Sequence, residues 1–157
     1  MTIEDDIAFL ERIPTFALLG RPALRIIAMG TEAKTLRSGE VLFAAGDKAD
    51  GGFVVQKGSL ALQPYGSEEQ TREVVVGVGA LLGELSLLIE NARPVTATAL
   101  ESTTVLRISR SLFVKMLEGF PDAAQRLQNH IANRAEQATK EMITQVRGRL
   151  DAPNVRS

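Results

Sequence analysis

The chain has 157 residues, a formal net charge of −1 at pH 7 and a pI near 5.9. Hydrophobic residues make up 45% and charged residues 24%; these globular values exclude wholesale disorder, and the charge balance gives no general pull on DNA or an anionic membrane. With no cysteine, disulfides and thiolate metal sites are excluded, and a single histidine, His130, leaves no imidazole cluster for a metal-assisted hydrolase or a dioxygenase barrel.

The length suits one domain, read here as residues 1–157. At the N-terminus, Thr2 followed by Asp5 is a helix start, with an oxygen cap and negative charge in the first turn. Ile7, Leu10 and Ile13 supply the apolar stripe, and Pro14 is expected to end it. This opening is neither a signal nor a transit peptide, and no apolar run approaches the ~18 residues of a membrane span. A cytoplasmic location without membrane attachment is the default expectation. A second helix is predicted over Pro22 to Met29, with proline at its first position and Gly30 past its end, so that 1–30 forms an N-terminal helical segment.

From 31 to 108 the period changes. Strands are predicted at Lys34–Arg37, Val41–Ala45, Gly52–Gln56, Leu60–Pro64, Arg72–Val76, Val95–Leu100 and Thr104–Ile108. Turns fall at Ser38-Gly39, Gly46-Asp47, Lys57-Gly58 and Tyr65-Gly66-Ser67. Short strands at this spacing predict a sandwich or roll of antiparallel sheets. Helical period returns over 109–147. Ser109 caps a short helix to Leu117, Gly119 and Pro121 interrupt, and a longer helix follows. Its stripe is Ala124, Leu127, Ile131, Ala135, Ala138, Met142 and Val146. A frayed tail is expected over 148–157.

The chemistry concentrates in GELSLLIENARPVTA, residues 83–97. One or two helical turns over Glu84 to Ile89 would leave first-turn N–H groups free to meet an anion, with glycine allowing close approach. Arg93 adds a rigid fork of donors suited to a phosphate. A carboxylate, Glu84, beside a phosphate makes sense only if the ligand also carries hydroxyls, as a ribose does. From spacing alone, Glu84 and Arg93 could equally be an ordinary ion pair among core leucines.

This stretch closely resembles the phosphate-binding cassette of the cyclic-nucleotide-binding domain family, which includes the catabolite activator protein, protein kinase A regulatory subunits and cyclic-nucleotide-gated channels. Gly83, Glu84, Leu85, Ser86 and Leu87 fit the pattern, and Arg93 follows at an allowed distance. FLERIPTFALLGRPALRIIA, RSGEVLFAAGDKADGGFVVQKGSLAL and VLRISRSLFVKMLEGFPDAAQRLQNHIANRAE resemble the family's N-terminal helices, early strands and C-terminal helices in that order. The resemblance implies a mainly β fold with flanking helices: an eight-stranded antiparallel β-roll, jelly-roll-like, with N-terminal helices and a long C-terminal helix. It implies a non-enzymatic module with cAMP or cGMP as ligand and no metal or other cofactor. Gly83 and Ser86 would offer N–H groups, with Leu85 beside them. Glu84 would accept from the ribose 2′-hydroxyl and Arg93 would grip the phosphate. Pro94 departs from the family, because a residue with an N–H usually stands there; Val95 N–H and the Thr96 hydroxyl are possible substitutes. Arg126, Asn129, His130, Asn133 and Arg134 are candidates to cap the base.

Too few residues follow Val146 for a helix-turn-helix, so no DNA partner is expected. A homodimer through the C-terminal helix and an unidentified downstream protein are the expected partners. The competing expectation is a degenerate member that has lost nucleotide and serves as a dimerisation or interaction scaffold.

Overall fold

The computed structural model describes residues 2–64 and 73–134. Helix α1 (Ile3–Glu11) opens on a reciprocal capping box. Thr2 Oγ1 accepts from the Asp5 N–H at 3.1 Å, and the Asp5 carboxylate accepts from the Thr2 N–H at 3.2 Å. Pro14 does not end this helix. It begins another, α2 (Pro14–Ala17), where its missing N–H is no loss because a first-turn donor has no helical partner anyway. Gly20, at φ 86°, turns the chain into α3 (Arg21–Gly30), which buries Ala23, Leu24, Ile27 and Ala28. Arg21 bridges Glu4 and Glu11, and Arg25 reaches Glu4, tying α1 to α3 on the exposed side.

Ten strands follow among the described residues: β1 (Glu32–Leu36), β2 (Val41–Phe43), β3 (Lys48–Ala49), β4 (Gly51–Lys57), β5 (Leu60–Pro64), β6 (Val74–Val76), β7 (Leu81–Leu82), β8 (Asn91–Ala92), β9 (Val95–Ala99) and β10 (Thr103–Ser109). Eight of them form the expected roll, as two antiparallel four-stranded sheets ordered β1-β10-β4-β7 and β2-β9-β5-β6. The other two, β3 and β8, pair as a small separate ribbon at the base of the cassette. The two-residue strands β3, β7 and β8 were not among the predicted runs. Ala45 and Leu100 fall outside β2 and β9. The predicted turn at Tyr65-Gly66-Ser67 and the start of the strand at Arg72 lie outside the described residues.

The period-2 alternation of β4 and β10 separates two cores. Phe53 and Val55 of β4 and Val105 of β10 point into the roll, where they meet Leu36, Leu42, Phe43, Leu60, Leu82, Ala97 and Ala99. Val54, Leu106 and Ile108 point the other way, against Ile7, Leu10, Phe16, Leu24, Ile27, Phe113 and Met116 of the helices. Strand β10 runs into α4 (Arg110–Gly119), capped by the Ser109 hydroxyl accepting from the Leu112 N–H at 3.2 Å. Helix α5 covers 121–134 of the described residues, and the remainder of the predicted long helix lies outside them. Its innermost residues are Ala123 and Leu127, while Ala124 and Ile131 of the predicted stripe are only half-buried.

Candidate functional site

Strand β7 leads into Gly83, whose φ of 81° is open to glycine at little cost. The expected helical turns contract to a 3₁₀ turn at Leu85–Leu87. Its bonds run from Leu87 N–H to Glu84 O at 3.2 Å and from Leu88 N–H to Leu85 O at 3.0 Å. The N–H groups of Glu84, Leu85 and Ser86 thus have no backbone acceptor among the described residues. The turn is held from behind. Arg110 Nε donates to the Ser86 carbonyl at 3.0 Å, and its other arm reaches the Ala49 carbonyl. The buried Ser86 hydroxyl donates to the Asn91 side chain at 2.6 Å.

Arg93 sits between β8 and β9 with its backbone fixed to the Gly46-Asp47 turn. Its N–H donates to the Asp47 carbonyl at 2.7 Å, and its carbonyl accepts from the Gly46 N–H at 2.8 Å. The side chain enters the roll and is 5% exposed. The guanidinium carbon lies 4.5 Å from the Phe43 ring centre and 5.4 Å from that of Phe53, in the range of a cation–π contact with both faces. A Cβ on Gly83 would come within 2.5 Å of Arg93 Nη1, so the glycine is what admits the guanidinium. That Nη1 is the one buried side-chain polar atom among the described residues without a hydrogen-bond partner. Burial depresses the Arg93 pKa. The negative charges of Asp50 and Asp47 oppose that shift, and Arg107 and Arg110 add to it. Arginine stays charged in any protein setting, so the result is a buried cation whose Nη1 lacks an acceptor among the described residues.

Glu84 and Arg93 are not an ion pair. Among the described residues the Glu84 carboxylate is claimed by the helices instead: Oε2 accepts from Thr15 Oγ1 of α2 at 2.7 Å, and Oε1 accepts from Arg134 of α5. Gly83 and Arg93 are therefore brought into contact, while Glu84 turns from the interior toward the helical side. Leu85 is exposed, and so is Pro94. Val95 begins β9 opposite Pro64, and Thr96 Oγ1 already accepts from the Ala45 N–H at 2.8 Å, leaving the hydroxyl proton to give. Of the candidates on α5, Arg126 is committed elsewhere, donating from Nε to the Leu18 carbonyl at 2.6 Å.

Sequence reasoning missed Phe43, Phe53, Thr15 and Arg110. The two phenylalanines read as core residues, which they also are. Thr15 stands 69 positions from its partner, and no local pattern carries such a contact.

A family model for the cyclic nucleotide-binding domain matches residues 33–120. Among solved structures, a cyclic nucleotide-binding-like protein from Brucella abortus is 37% identical, with a TM-score of 0.63 over 73% of this chain and 98% of that one. The N-terminal domain of a transcriptional regulator from Streptomyces coelicolor is 30% identical, with a TM-score of 0.76 over 85% of this chain and 94% of that one. The cyclic AMP receptor protein of Thermus thermophilus is 31% identical over 66% of this chain and 49% of its own length. The chain spans half or less of the length of the curated relatives it matches.

Proposed function

This chain belongs to the cyclic nucleotide-binding domain family, and on that premise we propose that it binds a cyclic nucleoside monophosphate, cAMP or cGMP, and acts as a non-enzymatic regulatory module. The observation that carries the reading is the buried Arg93 guanidinium with an unpartnered Nη1. A cation this deep is costly unless something negative joins it, and no carboxylate within the described residues bonds to it. The cyclic phosphate is that anion. Arg93 grips its exocyclic oxygens, and the free N–H groups around Ser86, next to Gly83 and Leu85, add donors. Glu84 takes the ribose 2′-hydroxyl. Pro94 contributes no N–H, so Val95 N–H and the Thr96 hydroxyl serve that side.

The signal leaves through α5, whose Arg134 already touches the cassette. Leu88, Leu117, Ala124, Leu127, Gln128 and Ile131 line an apolar groove of about 320 Å³ along this helix, a surface that suits a homodimer contact in a cytoplasmic assembly with a downstream protein. Among the described residues no helix is long and apolar enough to cross a membrane.

Calorimetry with cAMP and cGMP tests the reading. Binding that disappears in Arg93→Ala, with circular dichroism unchanged, is the expected result. The second reading, a scaffold that has lost its ligand, is favoured by Pro94. Absence of heat at millimolar nucleotide with an intact fold would establish it.

A further inference from the structure

Leu42 and Phe43 are neighbours in β2, yet both are buried in the core of the roll. A regular strand sends successive side chains to opposite faces, so one of the two should point outward. The pairing of β2 with β9 shifts register between Val41 and Phe43, and this irregularity lets the Phe43 ring turn inward, opposite Ala97. Phe53 comes from β4, in register with Leu82, the residue before Gly83. The two ring centres lie 5.9 Å apart with 27° between the planes, and the Arg93 guanidinium rests over both. We propose that Phe43 and Phe53 are positioning residues for the ligand's anion: in the empty roll their π-faces hold the Arg93 guanidinium in place, with Nη1 turned to Gly83. The inference rests on the nucleotide reading above and adds to it two residues that act on the ligand through Arg93.

The kind of partner decides what the ligand meets. A carboxylate would hold the guanidinium through its N–H groups, which are the groups a phosphate needs. The ligand would then have to break an ion pair before it bound. An aromatic ring attracts the cation through its quadrupole and leaves those donors available. Two rings therefore offset part of the cost of burying the charge without competing for its hydrogen bonds. Nη1 lies 2.5 Å from where a Cβ of Gly83 would stand and has no partner among the described residues. This puts the spare donor at the start of the cassette, next in the chain to the N–H groups of Glu84, Leu85 and Ser86. Leucine at 43 or 53 would fill the roll and give the cation nothing. The side chain would then spend more time outside the roll, and apparent affinity falls in proportion to the fraction still in place.

The test uses the full chain with a trifluorinated phenylalanine in place of Phe43 or Phe53. Fluorine keeps the shape and apolar character of the ring and removes its pull on a cation, whereas Phe43→Leu changes the packing as well. In ligand-free thermal melts each fluorinated ring should lower Tm in the wild type and leave it unchanged in Arg93→Ala, a cycle that isolates the ring–guanidinium contact. Titration with cAMP and cGMP should give the fluorinated proteins about three- to tenfold weaker binding, as expected when about a third to a tenth of the molecules keep Arg93 in place. Equal Tm changes in the two backgrounds would make the rings core residues only and overturn the proposal. A Tm change confined to the wild type, together with equal or tighter nucleotide binding, overturns the positioning role. If the wild type binds neither nucleotide, the functional reading falls and the positioning role falls with it, while the ligand-free melts still decide whether the rings hold Arg93.

Discussion

Gly83 and Arg93 make one unit at the residue scale: the glycine leaves the space that the guanidinium fills, 2.5 Å from where a Cβ would stand. Gly83→Ala therefore meets two obstacles. A φ of 81° strains any side chain, by about 1–3 kcal/mol, and the methyl group displaces Nη1 from its seat between Phe43 and Phe53. The expected outcome is a lower urea midpoint and loss of nucleotide heat in the same variant; retention of full affinity would show that the guanidinium need not sit there. Pro94→Ala tests the opposite change. It restores an N–H to an exposed position at the start of β9, and a donor to a charged oxygen is worth about 1.5–3 kcal/mol, so affinity should improve about tenfold or more. Unchanged titration curves would mean that Val95 and Thr96 already supply the contact. The sequence made Gly83, Ser86 and Arg93 readable because they are adjacent in one segment. It could not show that Glu84 faces the helices or that Phe43 and Phe53 hold Arg93, because those contacts join segments far apart in the chain.

Among the elements, α1 carries the clearest dependence on pH. The Glu4 carboxylate is held below its usual pKa first by a hydrogen bond from Arg25, and the Asp5 carboxylate first by the Thr2 backbone N–H. A pKa depressed by folding gives stability that is complete above the unfolded value and is lost as pH falls through the folded one. The docking of α1 on α3 should therefore loosen below about pH 4, read as faster amide exchange over Ile3–Glu11, and Glu4→Gln should remove part of the pH dependence. The strand pair β4–β10 is sensitive to shape instead. A Cβ at Gly51 would stand 2.1 Å from the Ile108 carbonyl oxygen, a backbone atom that cannot step aside. Gly51→Ala should cost about 3 kcal/mol or more in denaturant melts. The strands that were legible, β4 and β10 above all, run seven residues each, β4 ending at the Lys57-Gly58 turn and β10 at Ser109, the cap of α4. β3, β7 and β8 are two residues long, too short for any alternation to register. Proline is compatible with the end of one helix and the first turn of the next; here α1 closes at Glu11 and Pro14 opens α2, whose Phe16 packs against Phe113 with 6.2 Å between ring centres.

For the molecule as a whole, β4 and β10 are a wall between two cores, with Arg93 on the roll side and α1, α3 and α4 on the other. Neither core holds Glu84; it joins the two sides through Thr15 and Arg134. A ligand seated on Arg93 thus binds only the folded roll, because the unfolded chain has no such pocket. Mass action then fixes its effect on thermal stability: at one hundred times its dissociation constant it adds about 2.7 kcal/mol, which for a chain of this size raises Tm by roughly 5–10 °C. The shift should keep climbing with the logarithm of nucleotide concentration, as a nonspecific solute would not make it do. Arg93→Ala should melt at one temperature whatever nucleotide is added, and its own unliganded Tm should lie close to or above that of the wild type, since the substitution removes a buried cation whose Nη1 lacks an acceptor among the described residues. A variant that is as stable as the parent but blind to nucleotide would separate the two roles of this side chain: a burden on the empty fold and the anchor of the occupied one. A fall in unliganded Tm of several degrees would instead mean that the contact with Phe43 and Phe53 outweighs the desolvation of the charge, and that Arg93 belongs to the roll's core before it belongs to any ligand.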